Sequence, residues 1–176
     1  MKQHGRDVGR ARTPRPDLFR VLGVRTLHLI DLENLLCGYL RAERIRDGLQ
    51  LYIEQSGYRR GDRVIVAIAA RHRGLVGPLL PNGWELVLGD DGPDGADRAL
   101  VAALPPLPEI ALSFGRVNLA SADHYFKPLA RDLRTRGLPV VTFVGNGRSV
   151  SRDLRRVCTR TRCLDGATFR RDPVPA

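Results

Sequence analysis

The sequence has few of the residues that build disulfide frameworks, thiolate metal sites or membrane spans. Its 176 residues include three cysteines, Cys37, Cys158 and Cys163, and the closest pair has the spacing C-x4-C without a second pair. This count indicates neither a disulfide framework nor a zinc site, and it favours a reduced, cytoplasmic setting. No apolar run approaches the roughly 20 residues of a membrane span, so we expect no membrane partner.

Lysine is also scarce, and arginine carries nearly all of the positive charge. Lysine and arginine number 29 against 19 acidic residues, a net charge of +10, yet only Lys2 and Lys127 are lysine. A GC-rich genome is an equal explanation for the choice of arginine over lysine, but it does not explain the net excess. That excess points to a polyanionic partner, most commonly nucleic acid and next an anionic membrane surface.

The basic side chains concentrate at the two ends of the chain. Residues 1–25 contain seven of them and residues 148–171 contain eight, whereas the middle is nearly balanced. Such ends fit arms that hold phosphate groups, although solvated surface is the alternative for any single arginine. The candidate phosphate-binding residues are Arg148, Arg152, Arg155 and Arg156.

The order of apolar runs predicts a single α/β domain at 25–170. Residues 1–24 mix Gly, Pro and Arg without periodicity and are expected to form a disordered basic tail, and residues 171–176 form a C-terminal tail. The apolar runs between them are nearly continuous, which is typical of strands buried on both faces. The predicted strands are 26–31, 63–70, 84–88, 117–122 and 139–145.

Segments with helical spacing alternate with these runs. We expect helices at about 35–55, 99–104 and 126–133, and a fourth that begins at Ser151. Gly57 and Gly137 fit the ends of the first and third, and residues 105–108, rich in proline, are expected to form a loop. The alternation predicts a doubly wound, mostly parallel sheet of five to six strands with helices on both faces.

Acidic side chains follow three of the predicted strands. In such sheets, ligands bind outside the carboxyl ends of the strands, where the strand order reverses. Converging carboxylates need a cation, and oxygen ligands suit Mg²⁺ or Mn²⁺, so we predict one of these ions as cofactor. The polar residues at these strand ends are Asp31, Glu33 and Asn34, then Asp90, Asp91, Asp94 and Asp97, then Ser121, Asp123 and His124.

Helix capping is the alternative interpretation for most of these residues. Asp31 and Asp123 could cap the helices that follow them, and Asp94 and Asp97 could form a capping pair. His124 fits either a surface position or a proton relay beside Asp123. A shared site is favoured because all of them fall on one edge, where we expect Asp31 and Asp123 to face each other from adjacent strands.

Several stretches of the chain carry a family resemblance. LIDLENLL (29–36) is a strand ending in Asp and followed closely by Asn. GADRALVAAL (95–104) has an Asp at the start of a helix. The stretch 119–145 begins LASADHYF and continues through a helix, a glycine turn and a strand, and SRDL and CLDGATF follow it. Together, over roughly 25–169, they resemble the NYN domain, a branch of the PIN-like nucleases.

The resemblance implies metal-dependent cleavage of RNA. It implies catalytic roles for Asp31, Asn34, Asp97 and Asp123, with the three aspartates as metal ligands and Asn34 as an orienting group. Ser121 takes the serine of the family's Ser-Gly-Asp-x-Asp-Phe motif. SRDL and CLDGATF take its closing helix and final short strand.

The acidic set of the family is thinned in this chain. Ala122 replaces the motif glycine, Tyr125 stands where a second Asp is expected, and Ala103 stands where a further Asp often lies. Asp94 replaces a frequent Lys and could restore one carboxylate ligand. We therefore expect one divalent cation rather than two.

The function expected from these features is that of a divalent-metal-dependent endoribonuclease. Ser121 and His124 would support the metal ligands, and the C-terminal arginines would hold the RNA backbone. The alternative is a catalytically weak or inactive RNA-binding module with the same fold. A third interpretation, a domain that binds a small phosphorylated metabolite, leaves the basic ends unused, and the sequence leaves homo-oligomer formation open.

Overall fold

The computed structural model describes residues 24–145 and 150–166, and six strands within these ranges form one sheet. They are β1 (Thr26–Asp31), β2 (Arg63–Ala69), β3 (Glu85–Gly89), β4 (Arg116–Ala120), β5 (Val140–Val144) and β6 (Arg160–Cys163). Their order is β3-β2-β1-β4-β5-β6, and every pairing is parallel. The predicted doubly wound parallel sheet is confirmed.

Helices cover both faces of this sheet, as predicted. They are α1 (Leu32–Leu35), α2 (Ala42–Ser56), α3 (Arg73–Val76), α4 (Gly95–Ala102), α5 (Leu107–Ser113), α6 (Lys127–Thr135) and α7 (Arg152–Val157). Three short 3₁₀ turns lie at Ala70–His72, Gly77–Leu79 and His124–Phe126. No helix within the described ranges combines the length and the apolar character that crossing a membrane requires.

The core consists of two apolar layers, one on each side of the sheet. Because successive strand side chains point to opposite faces, Leu29 packs in the layer of α4 to α7, whereas Ile30 packs in the layer of α1 to α3. Both are completely buried. This burial on both faces explains why β1 reads as a continuous apolar run.

A polar cluster is buried between β1 and α2. The His28 side chain lies inside the sheet layer, with Nδ1 2.9 Å from the Tyr52 hydroxyl and Nε2 3.3 Å from Asp62 Oδ2. Burial lowers the pKa of His28 despite the neighbouring carboxylate. A neutral ring therefore accepts a hydrogen bond from Tyr52 and donates one to Asp62.

The five predicted strands are confirmed to within two residues at each end, and a sixth strand, β6, follows them. The family resemblance places a final short strand in CLDGATF (163–169), which shares Cys163 with β6 and whose last three residues lie outside the described ranges. Within the described sheet, β6 is an edge strand that pairs with β5, and most of its side chains are exposed. An exposed edge strand needs no apolar run, so no hydrophobic pattern marks it.

The prediction of one helix at 35–55 is also wrong. The chain enters α1 at Leu32, leaves the helix after Leu35 and enters α2 at Ala42. Cys37 and Gly38 have φ angles of 57° and 82°, a left-handed backbone that interrupts a helix. The predicted stop at Gly57 is confirmed by its φ of 77°.

The proline-rich segment is a helix start rather than a loop. Pro106 precedes α5 and Pro108 lies in its first turn, where a missing backbone N–H leaves no hydrogen bond unmade. The prediction of a loop at 105–108 is therefore wrong for its last two residues.

The predicted tails, 1–24 and 171–176, fall outside the described residues, except for Val24.

Candidate functional site

A cleft of about 550 Å³ opens where the strand order reverses, between the carboxyl ends of β1 and β4. Its wall also includes the start of α4 and the residue before α7. The carboxylates that line it are Asp31, Glu33, Asp90, Asp94, Asp97 and Asp123. The structure thus brings the aspartates predicted for the metal site to one cleft, in a chain whose net charge is positive.

Asp31 is fixed at the end of β1 by two hydrogen bonds. Its Oδ1 accepts from the backbone N–H of Asn34 at 3.1 Å, and its Oδ2 accepts from Ser121 Oγ at 3.1 Å. The side chain lies at the floor of the cleft, with the residue only 5% exposed. The first bond caps α1, so the capping interpretation of Asp31 is correct and is compatible with its place in the cleft.

Asn34 and Ser121 join the segments that follow β1 and β4. Asn34 Oδ1 accepts from the backbone N–H of Ala122 at 2.9 Å, across 88 residues of sequence. Ser121 is completely buried, and its Oγ also accepts from the backbone N–H of Asp123 at 3.1 Å. The two polar residues therefore hold the ends of β1 and β4 together.

Asp97 lies in the first turn of α4 and is 7% exposed. The pKa of Asp31 is raised to about 8, mainly by burial and next by the negative charge of Asp97. Burial also raises the pKa of Asp97, with further contributions from the charges of Asp123 and Asp94, whereas a hydrogen bond with Asp31 opposes the increase. Two adjacent buried carboxylates repel each other, so the pKa values of both groups lie above the ordinary value for aspartate.

Asp123 lines the same cleft as Asp31 and interacts electrostatically with Asp97. Its charge acts on Asp97, and Asp97 is the carboxylate that interacts with Asp31. Asp123 Oδ1 accepts from the backbone N–H of Tyr125 at 2.8 Å, so it caps the 3₁₀ turn, as the alternative interpretation holds. The His124 ring lies 3.0 Å from the same carboxylate with its side chain 81% exposed, which matches the surface interpretation.

Asp94 occupies the capping position of α4 without capping it. It has a left-handed backbone (φ 55°) and its side chain accepts no hydrogen bond from the helix, so the predicted capping pair with Asp97 is wrong. Both side chains instead line the cleft.

The start of α4 is set by a close approach of backbones. A methyl group on Gly89 would overlap Gly95, and one on Gly95 would overlap the carbonyl oxygen of Asp90.

The fit of this cleft to a divalent cation rests on one pair of carboxylates. Across 24–145 and 150–166, no three His, Cys, Asp or Glu side chains converge in an arrangement that holds a metal ion. Asp31 and Asp97 nevertheless fit Mg²⁺ or Mn²⁺, which proteins bind through one or two carboxylates with water completing the shell. Burial disfavours the charged form of both groups, and a bound cation stabilises that form.

The arginines of α7 lie beside the cleft. Ser151 lines the cleft, caps α7 through the backbone N–H of Leu154, and is joined to the end of β4 by a hydrogen bond to the carbonyl of Ala122. The basic side chains Arg152, Arg155 and Arg156 are exposed, as predicted for the outer face. Arg148 lies outside the described residues.

Sequence reasoning missed Arg71, which lines the cleft from the segment after β2. The acidic residues are found by looking at the positions that follow each strand. Arg71 lies two residues after the end of β2, so the same search finds it. Its signal is weak by itself, because Arg71 is one of 29 basic residues in the sequence. It is the only Arg or Lys among the described residues that line the cleft.

Comparison with known proteins supports the fold and no more. No protein-family model and no curated protein sequence matches the chain. Among solved structures, a protein of unknown function from Vibrio parahaemolyticus is similar, with a TM-score of 0.57 and 19% identity. The match covers 81% of this chain and 93% of that one.

Proposed function

We propose that the chain is an NYN-like endoribonuclease that uses one Mg²⁺ or Mn²⁺ ion to cleave RNA phosphodiester bonds. The observation that carries the proposal is the buried pair Asp31 and Asp97 at the reversal point of the sheet. Ionisable groups with strongly perturbed pKa values in a cleft mark candidate functional sites. The choice of RNA over DNA, and the family, rest on the sequence resemblance.

The chain supplies ligands, orientation and charge to this reaction. When bound, the cation activates a water molecule and neutralises charge on the scissile phosphate. Asp31 and Asp97 offer the carboxylate oxygens, and the hydrogen bonds of Ser121 and Asn34 fix the strand ends that carry them. The exposed arginines of α7 hold the RNA backbone beside the cleft without reading its sequence.

Cleavage of single-stranded and structured RNA, with DNA as a second substrate, tests the proposal in Mg²⁺, Mn²⁺ and EDTA. Mutating a residue that hydrogen-bonds to a metal ligand typically lowers metal affinity or activity by about 10- to 100-fold. Asp97 is itself a proposed ligand, so Asp97→Asn is expected to reduce the rate of cleavage by more than about 100-fold. RNA affinity should be retained, because the arginines remain. Asp132→Asn, an exposed carboxylate on α6, is the matched control and should leave cleavage unchanged.

The second candidate function is an RNA-binding module without catalysis. It is favoured by the absence of a converged three-ligand group within the described ranges and by Ala103 and Tyr125 at positions where the family has acids. Wild-type protein that binds RNA but leaves it intact in both metals would establish this alternative. Protein that neither binds nor cuts RNA would overturn both proposals.

A further inference from the structure

A phosphate that enters the cleft meets mostly negative charge. Six carboxylic side chains line it, and Arg71 is the only Arg or Lys among the described lining residues. The Arg71 side chain is 49% exposed, so its guanidinium is accessible from the cleft. A polyanion that reaches the buried pair therefore has one permanent positive charge inside the cleft to bind.

The outer nitrogens of the Arg71 guanidinium make long contacts, whereas its Nε donates a hydrogen bond of ordinary length, 3.1 Å, to His72 Nε2. Its Nη2 lies 3.4 Å from Glu33 Oε2 and its Nη1 lies 3.4 Å from Asp91 Oδ1. These distances exceed the usual 2.7–3.2 Å of an N–H···O hydrogen bond. By contrast, Arg98 and Asp90 form a close pair at 2.7 and 3.0 Å. The guanidinium of Arg71 is thus oriented, and its outer N–H groups can still form shorter hydrogen bonds with a ligand.

Glu33 positions this arginine. Its Oε1 accepts from the backbone N–H of Ala69 at 2.7 Å, which fixes the carboxylate at the end of β2. Its other oxygen faces Arg71. A phosphate binds a guanidinium with two shorter, charge-assisted hydrogen bonds, so it can replace these long contacts.

The sheet order puts Arg71 and the arginines of α7 on opposite sides of Asp31. β2, which leads to Arg71, lies on one side of β1, and β4 lies on the other. Ser151, at the start of α7, is hydrogen-bonded to the residue after Ser121, on the β4 side. Positive charge therefore lies on both sides of Asp31 along the carboxyl edge of the sheet.

We propose that Arg71 binds a backbone phosphate of single-stranded RNA on the side of the cleft opposite α7, with Glu33 as its positioning residue. The RNA strand then crosses the carboxyl edge of the sheet and passes over Asp31 and Asp97. This inference rests on the proposed function, because it identifies how the same site holds its substrate.

Binding of a labelled single-stranded RNA, measured by fluorescence anisotropy in EDTA at several salt concentrations, tests the inference without cleavage. Each phosphate contact to a single strand contributes about 0.7 to the slope of log K against log salt concentration. Arg71→Ala should lower that slope by about 0.7, and Arg71→Lys should retain most of it. Arg73→Ala, an exposed arginine two residues away that does not line the cleft, should leave the slope unchanged.

A double-mutant cycle tests the part of Glu33. Glu33→Gln removes the charge that competes for the guanidinium, so it should tighten RNA binding several-fold in the wild-type background. In the Arg71→Ala background the same change should give a clearly smaller gain, because only the general loss of negative charge from the cleft remains. An equal gain in both backgrounds overturns the positioning role, because it shows a general effect of charge.

The outcomes separate this inference from the proposed function. If wild-type protein binds and cuts RNA while Arg71→Ala and Arg73→Ala have the same salt slope, the inference fails and the proposed function stands. If wild-type protein binds RNA without cutting it and Arg71→Ala alone lowers the slope, the inference stands and catalysis fails. Wild-type protein that binds no RNA overturns both. Melting temperatures of the variants confirm that each is folded.

Discussion

Asp123 has two tasks that can be separated by choosing the substitution. It accepts a hydrogen bond from the backbone N–H of Tyr125, and its charge acts on Asp97 across the cleft. Asparagine retains an acceptor for the backbone and removes the charge, whereas alanine removes both. The two substitutions therefore distinguish a capping role from a role in the electrostatics of the metal site.

We predict that Mg²⁺ raises the melting temperature of the wild type, because an ion that binds the folded state alone stabilises it by mass action. Asp123→Asn should lose part or all of this gain while its metal-free melting temperature is unchanged or slightly higher. Asp123→Ala should lose the gain and also about 1 kcal/mol of metal-free stability through the missing cap. Thermal melts with and without Mg²⁺ measure both effects. A gain that both variants keep in full would exclude Asp123 from the metal site.

His28 gives the fold a dependence on pH that is independent of the cleft. The folded state keeps His28 neutral because burial lowers its pKa, whereas the unfolded chain protonates it near pH 6.5. The unfolded state therefore binds more protons below pH 6.5, and this residue's contribution to stability is lost as pH falls from there toward the folded pKa. Partial burial acts to raise the pKa of Asp62, but hydrogen bonds from His28 and from the backbone N–H groups of Thr26 and Arg59 lower it overall. The contribution of Asp62 to stability is therefore lost only below pH 3.8, the ordinary pKa of the group.

We predict that the free energy of unfolding falls between pH 7 and pH 5 by more in the wild type than in His28→Gln. One proton accounts for at most about 1.4 kcal/mol per pH unit. Asp31 has the opposite effect on stability, so the comparison with the variant is needed. Because its pKa is raised, the folded state retains a proton on Asp31 above pH 3.8, and the contribution of Asp31 to stability falls as pH rises toward 8. Urea unfolding at both pH values measures the difference, and equal losses in the two proteins would contradict the prediction.

At the scale of elements, the contact between β3 and α4 decides where Asp97 lies. Gly89 ends the strand, Gly95 begins the helix, and neither has room for a methyl group. The absence of both side chains lets the two backbones touch, so that α4 begins close enough to β1 for Asp97 to meet Asp31. The glycines are thus part of the geometry of the cleft although they carry no chemical group.

We predict that Gly95→Ala costs about 1–3 kcal/mol of stability, the usual range for an overpacked contact, and abolishes stabilisation by Mg²⁺ because it displaces Asp97. Gly74→Ala is the matched control. Gly74 lies in α3 with nothing within 4 Å of an added methyl group, so alanine there should be neutral or stabilising by up to about 1 kcal/mol. Denaturant unfolding and Mg²⁺-dependent melts compare the two variants.

The elements that the sequence predicts well are those with a strong pattern of burial. β1, β2 and β5 are buried on both faces, so their apolar runs mark them within a residue or two. The elements that it misses have other causes. The break after Leu35 depends on left-handed backbone at a non-glycine residue, Cys37, and β6 depends on pairing with β5 alone.

The same distinction applies to the cleft. Which residues line it could be predicted, because the position after a strand in a parallel sheet determines the edge on which a side chain lies. Which residues pair could not, because Asp97 reaches Asp31 through a backbone contact between glycines that no composition reveals. Arg71 is predictable by the rule that identifies Asp31, provided that cations are considered together with carboxylates.

At the scale of the whole molecule, the positive charge of residues 1–24 allows a test of the proposed function. Deleting residues 1–24 removes six basic side chains and retains Arg25. Arg25 belongs to the folded domain, since its Nε donates to the carbonyl of Gly61 at 2.6 Å and its guanidinium lies over the Phe114 ring. A deletion that ends before Arg25 therefore leaves both of these interactions in place.

We predict that this deletion weakens RNA binding and lowers the salt slope by about 0.7 for each phosphate that the tail no longer binds. The melting temperature should be unchanged, because the domain keeps Arg25. Anisotropy titrations at several salt concentrations, run on the full chain and on residues 25–176, measure the slope. An unchanged slope would show that the tail does not contact RNA.

The central position of β1 has a consequence for the order of events during synthesis. Among the described strands, β1 leaves the ribosome first. Its partner on one side, β4, begins at Arg116, and the serine that fixes Asp31 lies 90 residues after it in the chain. A growing chain that ends before β4 has an open edge on β1, which is buried along its whole length in the folded protein, and Asp31 lacks its hydrogen bond from Ser121. Long-range parallel pairing of this kind is slow and leaves edges exposed to aggregation. The cleft is complete only once the chain has emerged as far as Ser151, so the site cannot form while β1, β2 and β3 alone are outside the ribosome.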